Sequence, residues 1–167
     1  NHYIGYEKKY TKEALEALQE GERLISKTNV SYFAENLIFG TFSGLYSDLG
    51  NTAKTLEYID KTLASGLREN DLYCQSSMNE FKGYLIGNTT KPNGAQAALP
   101  FYESAYIYAK KLDDLPVLAR VEQKLYSSYR FTGNNLKALE FLEILTKHQA
   151  TIDQKNIQKA YADFDIS

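Results

Sequence analysis

The feature that most constrains this chain is a segment that occurs twice. One copy runs from Gly50 to Leu63 and the other from Gly133 to Leu145. Both read Gly-Asn, two variable residues, Lys, a small residue and Leu-Glu, followed by an aromatic and an aliphatic residue. Internal similarity of this kind is typical of proteins that stack one supersecondary unit several times. The chain is therefore expected to contain successive copies of one unit.

Two weaker copies extend the pattern. A small residue followed by Leu begins at Ala14, Thr55, Ala98 and Ala138, which gives a period of about 40 residues. Gly or Gly-Asn is expected to end the first helix of a unit, because both residues tolerate a left-handed backbone. The small residue is expected where two helices cross closely, with large residues at the 3/4 spacing around it. One such hairpin cannot cover its own apolar face, so it stacks on the next.

The apolar periodicity predicts eight helices, at residues 12–26, 31–48, 53–66, 71–86, 95–112, 115–131, 136–148 and 153–164. The clearest loop is 87–94, which holds two Gly, two Asn and one Pro. We therefore predict one all-α domain over residues 1–167. Its parts are a partial hairpin (1–30), three hairpins (31–69, 70–114 with the inserted loop 87–94, and 115–150) and a capping or exit helix (151–167).

These features resemble the tetratricopeptide repeat family. In that family the first helix carries large residues, a small residue and an aromatic, and the second helix carries further small and large positions. The repeat that begins at Asn36 matches with Phe39, Phe42, Ser43, Tyr46, Thr55, Ile59 and Thr62. The repeat that begins at Ala119 matches with Leu125, Tyr129, Ala138, Leu142 and Leu145, and departs at Glu122 and Tyr126. The resemblance implies a right-handed α–α superhelix, or solenoid, of about eight antiparallel helices.

A finer resemblance concerns two segments. The lengthened repeat that ends in Lys110–Asp114 and the tail Asp153–Ser167 look like parts of the sensor regions of some bacterial histidine kinases, notably from Bacteroidetes-type bacteria. That resemblance implies the sensory or regulatory part of a larger signalling protein. The compartment would be periplasmic for the ectodomain of a sensor kinase and cytoplasmic otherwise. The alternative is a free-standing scaffold or assembly adaptor without switching.

In the tetratricopeptide family the first helices line a concave groove. The resemblance places there Leu37, Gly40, Thr41, Gly44, Ser47, Ser76, Asn79, Gly83, Arg120, Gln123, Lys124, Ser127 and Arg130. We expect a protein or peptide ligand, with an acidic group, because guanidinium forks match carboxylates. The alternative is that Arg120 and Arg130 are ordinary solvated residues. The three glycines indicate either a closely approaching ligand or, as we favour, the packing of a neighbouring helix.

Composition excludes several function classes. The net charge of −2 argues against a general nucleic-acid binder, and no apolar run approaches the roughly 20 residues of a membrane span. The single cysteine, Cys74, is expected to be a small buried residue. His148 is expected to interact with a helix dipole in the last turn of its helix, and His2 stands near the other end of the chain. We predict no enzyme activity, metal or cofactor, and no membrane contact from this segment; a homodimer is left open.

Overall fold

The computed structural model describes the backbone of residues 2–27 and 30–164, and the side chains of residues 11–27 and 30–163. The described backbone is all-α, with seven helices and no strand. They are α1 (His2–Ile25), α2 (Tyr32–Asp48), α3 (Thr52–Arg68), α4 (Leu72–Thr89), α5 (Gly94–Ala109), α6 (Leu115–Phe131) and α7 (Asn135–Phe164). The chain divides into two compact units, Asn1–Cys74 and Gln75–Ser167.

Three boundaries differ from the sequence prediction. The two helices predicted at 136–148 and 153–164 are one helix, α7, because residues 149–152 contain neither Gly nor Pro and nothing stops the helix there. Helix α1 begins at His2 instead of Lys12, since residues 2–11 also lack Pro. The predicted loop 87–94 is shorter, because α4 continues to Thr89 and α5 begins at Gly94. The prediction of eight helices is therefore not met in the described residues.

The Gly-Asn motif forms a turn with two functions. Gly50 and Gly133 have φ angles of 69° and 76°, so each ends a helix in the left-handed conformation, as predicted. The following Asn then starts the next helix: Asn51 Oδ1 accepts from Lys54 N at 3.1 Å, and Asn134 Oδ1 accepts from Lys137 N at 3.2 Å. One dipeptide therefore fixes both the end of one helix and the start of the next.

Asn70-Asp71 is a third copy of this turn that the sequence pattern did not reveal. Asn70 has a φ of 54°, and Asp71 Oδ1 accepts from Cys74 N at 2.8 Å, so the pair repeats the roles of Gly and Asn. Asp71 N also donates to Gly66 O at 2.9 Å, as Asn51 N does to Tyr46 O at 2.8 Å. Asn can replace Gly here because it tolerates the left-handed region. The hydrogen bonds identify the turn where the residue types do not.

The unit Asn1–Cys74 is built on the α2–α3 hairpin. Phe42, fully buried, stacks on Tyr58 with ring centroids 4.3 Å apart. The Tyr58 hydroxyl donates to Glu22 of α1 at 2.7 Å, which joins α1 to α3. Burial and the neighbouring Glu22 carboxylate raise the pKa of Tyr58, so the hydroxyl stays protonated and remains a donor. Cys74 is buried as predicted, and its burial raises the pKa of the thiol.

The unit Gln75–Ser167 has a larger apolar core. Its members are contributed by α5, α6 and α7 and include Ala98, Tyr102, Ala105, Val121, Leu125, Tyr129 and Ala138. The ring of Tyr129 stacks on that of Phe141, with centroids 5.7 Å apart. Tyr46 and Tyr58, which hold the same places relative to Gly50, stack in the same way. Helix α4 packs on α5 through Gly83, where an added Cβ would lie 2.7 Å from the Tyr102 ring. Large rings therefore interlock with small residues.

Candidate functional site

Helix α2 presents an exposed stripe, here called the α2 stripe, which consists of Phe33, Leu37, Gly40, Thr41 and Gly44. Phe33 is 74% exposed and Leu37 is 57% exposed. The Thr41 hydroxyl donates to its own helix, to Leu37 O at 2.6 Å, which satisfies it internally. The opposite side of α2 is fixed by the burial of Phe42, so the orientation of the stripe is set by the core. The α2 stripe is thus an apolar surface with small residues at its centre.

The glycines fall into two classes. A Cβ on Gly83 would meet the Tyr102 ring, so helix packing accounts for this glycine as we favoured. A Cβ on Gly40 or Gly44 would have no neighbour within 4 Å among the described atoms. Helix packing therefore does not account for these two, and the surface above them is open. Ser47, at the end of the same helix, is half-buried.

The predicted groove residues of α4 are mostly withdrawn from the surface. Ser76 is fully buried, and Gly83 is covered by Tyr102. Asn79 is half-buried, and its Nδ2 donates to Gln75 O at 2.8 Å. The hydroxyl of Ser76 has no hydrogen-bond partner in the described structure. Of these residues only Asn79 keeps part of its surface for a ligand.

Helix α6 brings the predicted cationic residues together on one exposed side, here called the α6 stripe (Arg120, Gln123, Lys124, Ser127 and Arg130). Arg120 Nε lies 2.8 Å from Glu80 Oε2 on α4, and that carboxylate is only 12% exposed. Gln123 donates to Ser127 Oγ at 3.3 Å, and Arg130 is exposed. The charge of Arg120 is therefore already offset inside the protein, whereas Arg130 points to solvent.

Glu80 is a residue that the sequence reasoning missed. It precedes Arg120 by one repeat period, so the period itself could have identified the pair. On the same side, Lys124 Nζ lies 5.8 Å from the centre of the Tyr84 ring, at the outer limit of a cation–π contact. Both contacts run from α4 to α6, and both orient a cationic side chain of the α6 stripe.

A cleft of about 410 Å³ lies between α6 and α7. Arg120, Gln123 and Lys124 line one wall, and Leu145, Gln149 and Ile152 line the other. The lining of this cleft is therefore a mixture of amide, cationic and aliphatic groups. A larger cleft of about 650 Å³ lies at the loop between α4 and α5, and Lys91 is the one charged residue in its lining.

A buried carboxylate forms the most unusual electrostatic feature. Glu122 of α6 is fully buried, and its Oε2 lies 2.9 Å from His148 Nδ1 on α7. The other oxygen, Oε1, has no partner in the described structure. Burial raises the pKa of Glu122, although the contact with His148 opposes that shift. The prediction that His148 interacts with a helix dipole in a last turn is wrong, because α7 continues for four more turns and the imidazole pairs with Glu122.

Comparison with protein-family models finds no match for this chain, and comparison with curated proteins also finds none. In the described part of the chain no helix has the length and apolar character that a membrane crossing requires. The described side chains of His, Cys, Asp and Glu form no cluster of three that could hold a metal ion. The side chain of His2 and the tail residues 165–167 lie outside the described residues.

Proposed function

We propose that this chain is a helical-repeat module of the tetratricopeptide type, a right-handed solenoid that binds a protein or peptide. Contacts that skip one helix support the proposal. Glu80 and Arg120 join the first helices of two hairpins, and Tyr106 and Phe141 join their second helices with ring centroids 5.3 Å apart. Tyr58 and Glu22 do the same for α1 and α3. Stacked hairpins produce such contacts between alternate helices at every repeat.

The single observation that carries the binding function is exposure on the first helices. The α2 stripe leaves large apolar side chains uncovered beside two open glycines. The α6 stripe leaves Arg130 in solvent next to amide and hydroxyl groups. An amphipathic or extended peptide fits the first stripe through its apolar residues, and an acidic group fits the second. We therefore propose that the α2 stripe binds apolar anchors of a peptide and, separately, that Arg130 of the α6 stripe binds an acidic ligand group.

A display selection of random peptides against the full chain tests this proposal. Fluorescence anisotropy then gives the dissociation constant (Kd) of each selected peptide. We expect Leu37→Lys to weaken binding of peptides with apolar anchors, and Arg130→Glu to weaken binding of acidic peptides, about tenfold or more, which corresponds to a loss of about 1.4 kcal/mol. The matched control is Lys155→Glu, which reverses an exposed cation of α7 that belongs to neither stripe. If all three variants bind the selected peptides equally, neither stripe is the binding surface.

We further propose that the module is the sensory or regulatory part of a larger bacterial signalling protein. The support is the sequence resemblance at Lys110–Asp114 and in the tail. A scaffold or adaptor without switching is the alternative. Small-angle scattering and sedimentation with and without a selected peptide separate the two. A sensor changes its scattering profile or its dimerisation on binding, and an adaptor changes neither.

A further inference from the structure

The second helices of the repeats, α1, α3, α5 and α7, share one register. Seven residues after the small residue of each small–Leu pair, on the same helix face, stand Gly21, Thr62, Ala105 and Leu145. Residues seven apart lie on one side of a helix, because two turns take 7.2 residues. These four positions are therefore equivalent, and their surroundings can be compared directly.

In the first three of these helices the following helix covers the position. A Cβ on Gly21 would lie 2.9 Å from Cδ1 of Ile38 on α2. The Sγ of Cys74 on α4 lies 3.5 Å from the carbonyl oxygen of Thr62. Ala105 is fully buried in the apolar cluster that α6 shares with α5. A small residue at this position thus receives the next helix at close range.

Helix α7 presents the same face without a following helix in the described chain. Leu139 is 64% exposed and Leu142 is 38% exposed. Their counterparts on α5, Leu99 and Tyr102, are 7% and 6% exposed because α5 is covered. Leu145 lines the open cleft beside α6. We call Leu139, Leu142 and Leu145 the α7 end face.

The α7 end face differs from the earlier ones in one respect. Leu145 is large where the other helices have Gly, Thr or Ala. Helices approach closely only where at least one of the two residues at the crossing is small, because a packed interface tolerates little excess volume. A helix that packs on α7 must therefore supply the small residue itself.

We propose that the α7 end face binds one amphipathic α-helix of a partner protein, with Gly, Ala or Ser opposite Leu145. Continuity with the packing inside the chain identifies the occupant as a helix, since a helix covers this face in each earlier repeat. The large side chain of Leu145 defines the residue that the helix presents. The proposal goes beyond the binding proposed for the α2 and α6 stripes and does not depend on it, because it rests on the packing of the second helices.

Two synthetic helical peptides test the proposal. Both carry Leu at the 3/4 spacing on one face and alternating Lys and Glu elsewhere, and they differ only at the central position of the apolar face, which is Ala in one and Leu in the other. Anisotropy of the labelled peptides gives their Kd for the full chain. We expect the Ala peptide to bind about tenfold more tightly, because two large side chains cannot share one crossing.

Variants of the chain then exchange the large and small partners. Leu145→Ala should reverse the preference in favour of the Leu peptide, and Leu142→Lys should abolish binding of both. The control is Thr151→Lys, which is exposed on the same helix but about 180° away from Leu142 and about 120° away from Leu139 and Leu145 around its axis, and which should leave binding unchanged. Circular dichroism of each variant verifies that the helices remain formed.

Three results overturn the proposal. The first is that neither peptide binds at millimolar concentration. The second is that both bind equally to the wild type, or that Leu145→Ala fails to reverse the preference. The third is that sedimentation finds a dimer that Leu142→Lys dissociates and Thr151→Lys does not, in which case the occupant is a second copy of this chain. Reversal by Leu145→Ala together with unchanged binding by Thr151→Lys supports the proposal.

Discussion

Replacing Glu122 by Leu is expected to stabilise the protein. Glu122 is fully buried, and its Oε1 has no hydrogen-bond partner in the described structure. A buried polar group without a partner costs about 1–3 kcal/mol, and replacing a buried ionic group by an apolar residue of similar size often stabilises by about 1–4 kcal/mol. His148, the partner that the change leaves behind, is 30% exposed and can bind water instead. We therefore expect a gain of about 2 kcal/mol in the free energy of unfolding, or about 4–8 °C in Tm.

The gain in stability from Glu122→Leu depends on pH, and the burial of Glu122 decides whether it rises or falls. Because burial raises the pKa of Glu122, the folded state binds the proton more tightly than the unfolded state does. The stability that the protonated carboxyl contributes is complete below its ordinary pKa of 4.5 and is lost as the pH rises through the higher folded value. Burial, with the charges of Glu122 and Glu140, also raises the pKa of Tyr106 on α5. The advantage of Glu122→Leu should therefore grow with pH above about 4.5.

Urea unfolding followed by far-ultraviolet circular dichroism at a series of pH values measures this dependence. Glu122→Gln is the matched variant, because it keeps the shape and one hydrogen bond but cannot ionise. Relative to it, the wild type should lose stability as the pH rises. His148→Ala should destabilise the wild type by about 1–3 kcal/mol and change the Glu122→Leu protein by less than about 0.5 kcal/mol. A Glu122→Leu protein that is less stable than the wild type at every pH would refute the reasoning.

Two further predictions concern glycine and capping positions. Gly83→Ala should destabilise the protein by about 1–3 kcal/mol in urea unfolding, because its Cβ would lie 2.7 Å from the buried Tyr102 ring. Gly40→Ala should stabilise it by about 0.5–1 kcal/mol, because its Cβ would have no neighbour within 4 Å. Equal effects of the two changes would contradict the surroundings assigned to these glycines. Asn134→Ala should cost about 1 kcal/mol by the same measurement, because it loses the hydrogen bond that Lys137 N donates to Asn134. The control is Leu136→Ala, two residues further along and 80% exposed, which should change little.

The elements that the sequence predicted well are those that depend on local chemistry. Gly-Asn specifies a left-handed end and a cap within two residues, so both of its turns could be predicted from the letters alone. The third turn was missed as a turn motif because Asn70-Asp71 performs the same roles with different residues. The fusion of two predicted helices into α7 was missed because residues 149–152 contain no helix-breaking residue, so amphipathic periodicity was the only guide.

Contacts of the candidate site were harder to predict, for a different reason. Glu122 was recognisable as a departure from an apolar position, but its partner His148 was assigned to a helix end that does not exist. Arg120 was recognisable as a surface cation, but nothing local to it shows that Glu80 offsets its charge. Both pairs join different helices, so they depend on the stacking of the hairpins and not on the sequence around either residue.

The open glycines of α2 bear on why this surface is built as it is. Each glycine inside a helix costs about 1 kcal/mol relative to alanine, and no contact within the described structure offsets that cost at Gly40 or Gly44. Gly83 shows the contrasting case, in which an internal ring occupies the space that the missing Cβ leaves. If a partner backbone lies against α2, it occupies the corresponding space at Gly40 and Gly44, between the exposed Leu37 and the end of the helix. Stability and binding should then oppose each other at these positions: Gly44→Ala should raise the unfolding free energy and weaken peptide binding to the α2 stripe. A variant that gains stability and binds a selected peptide as the wild type does would remove the glycines from the binding surface.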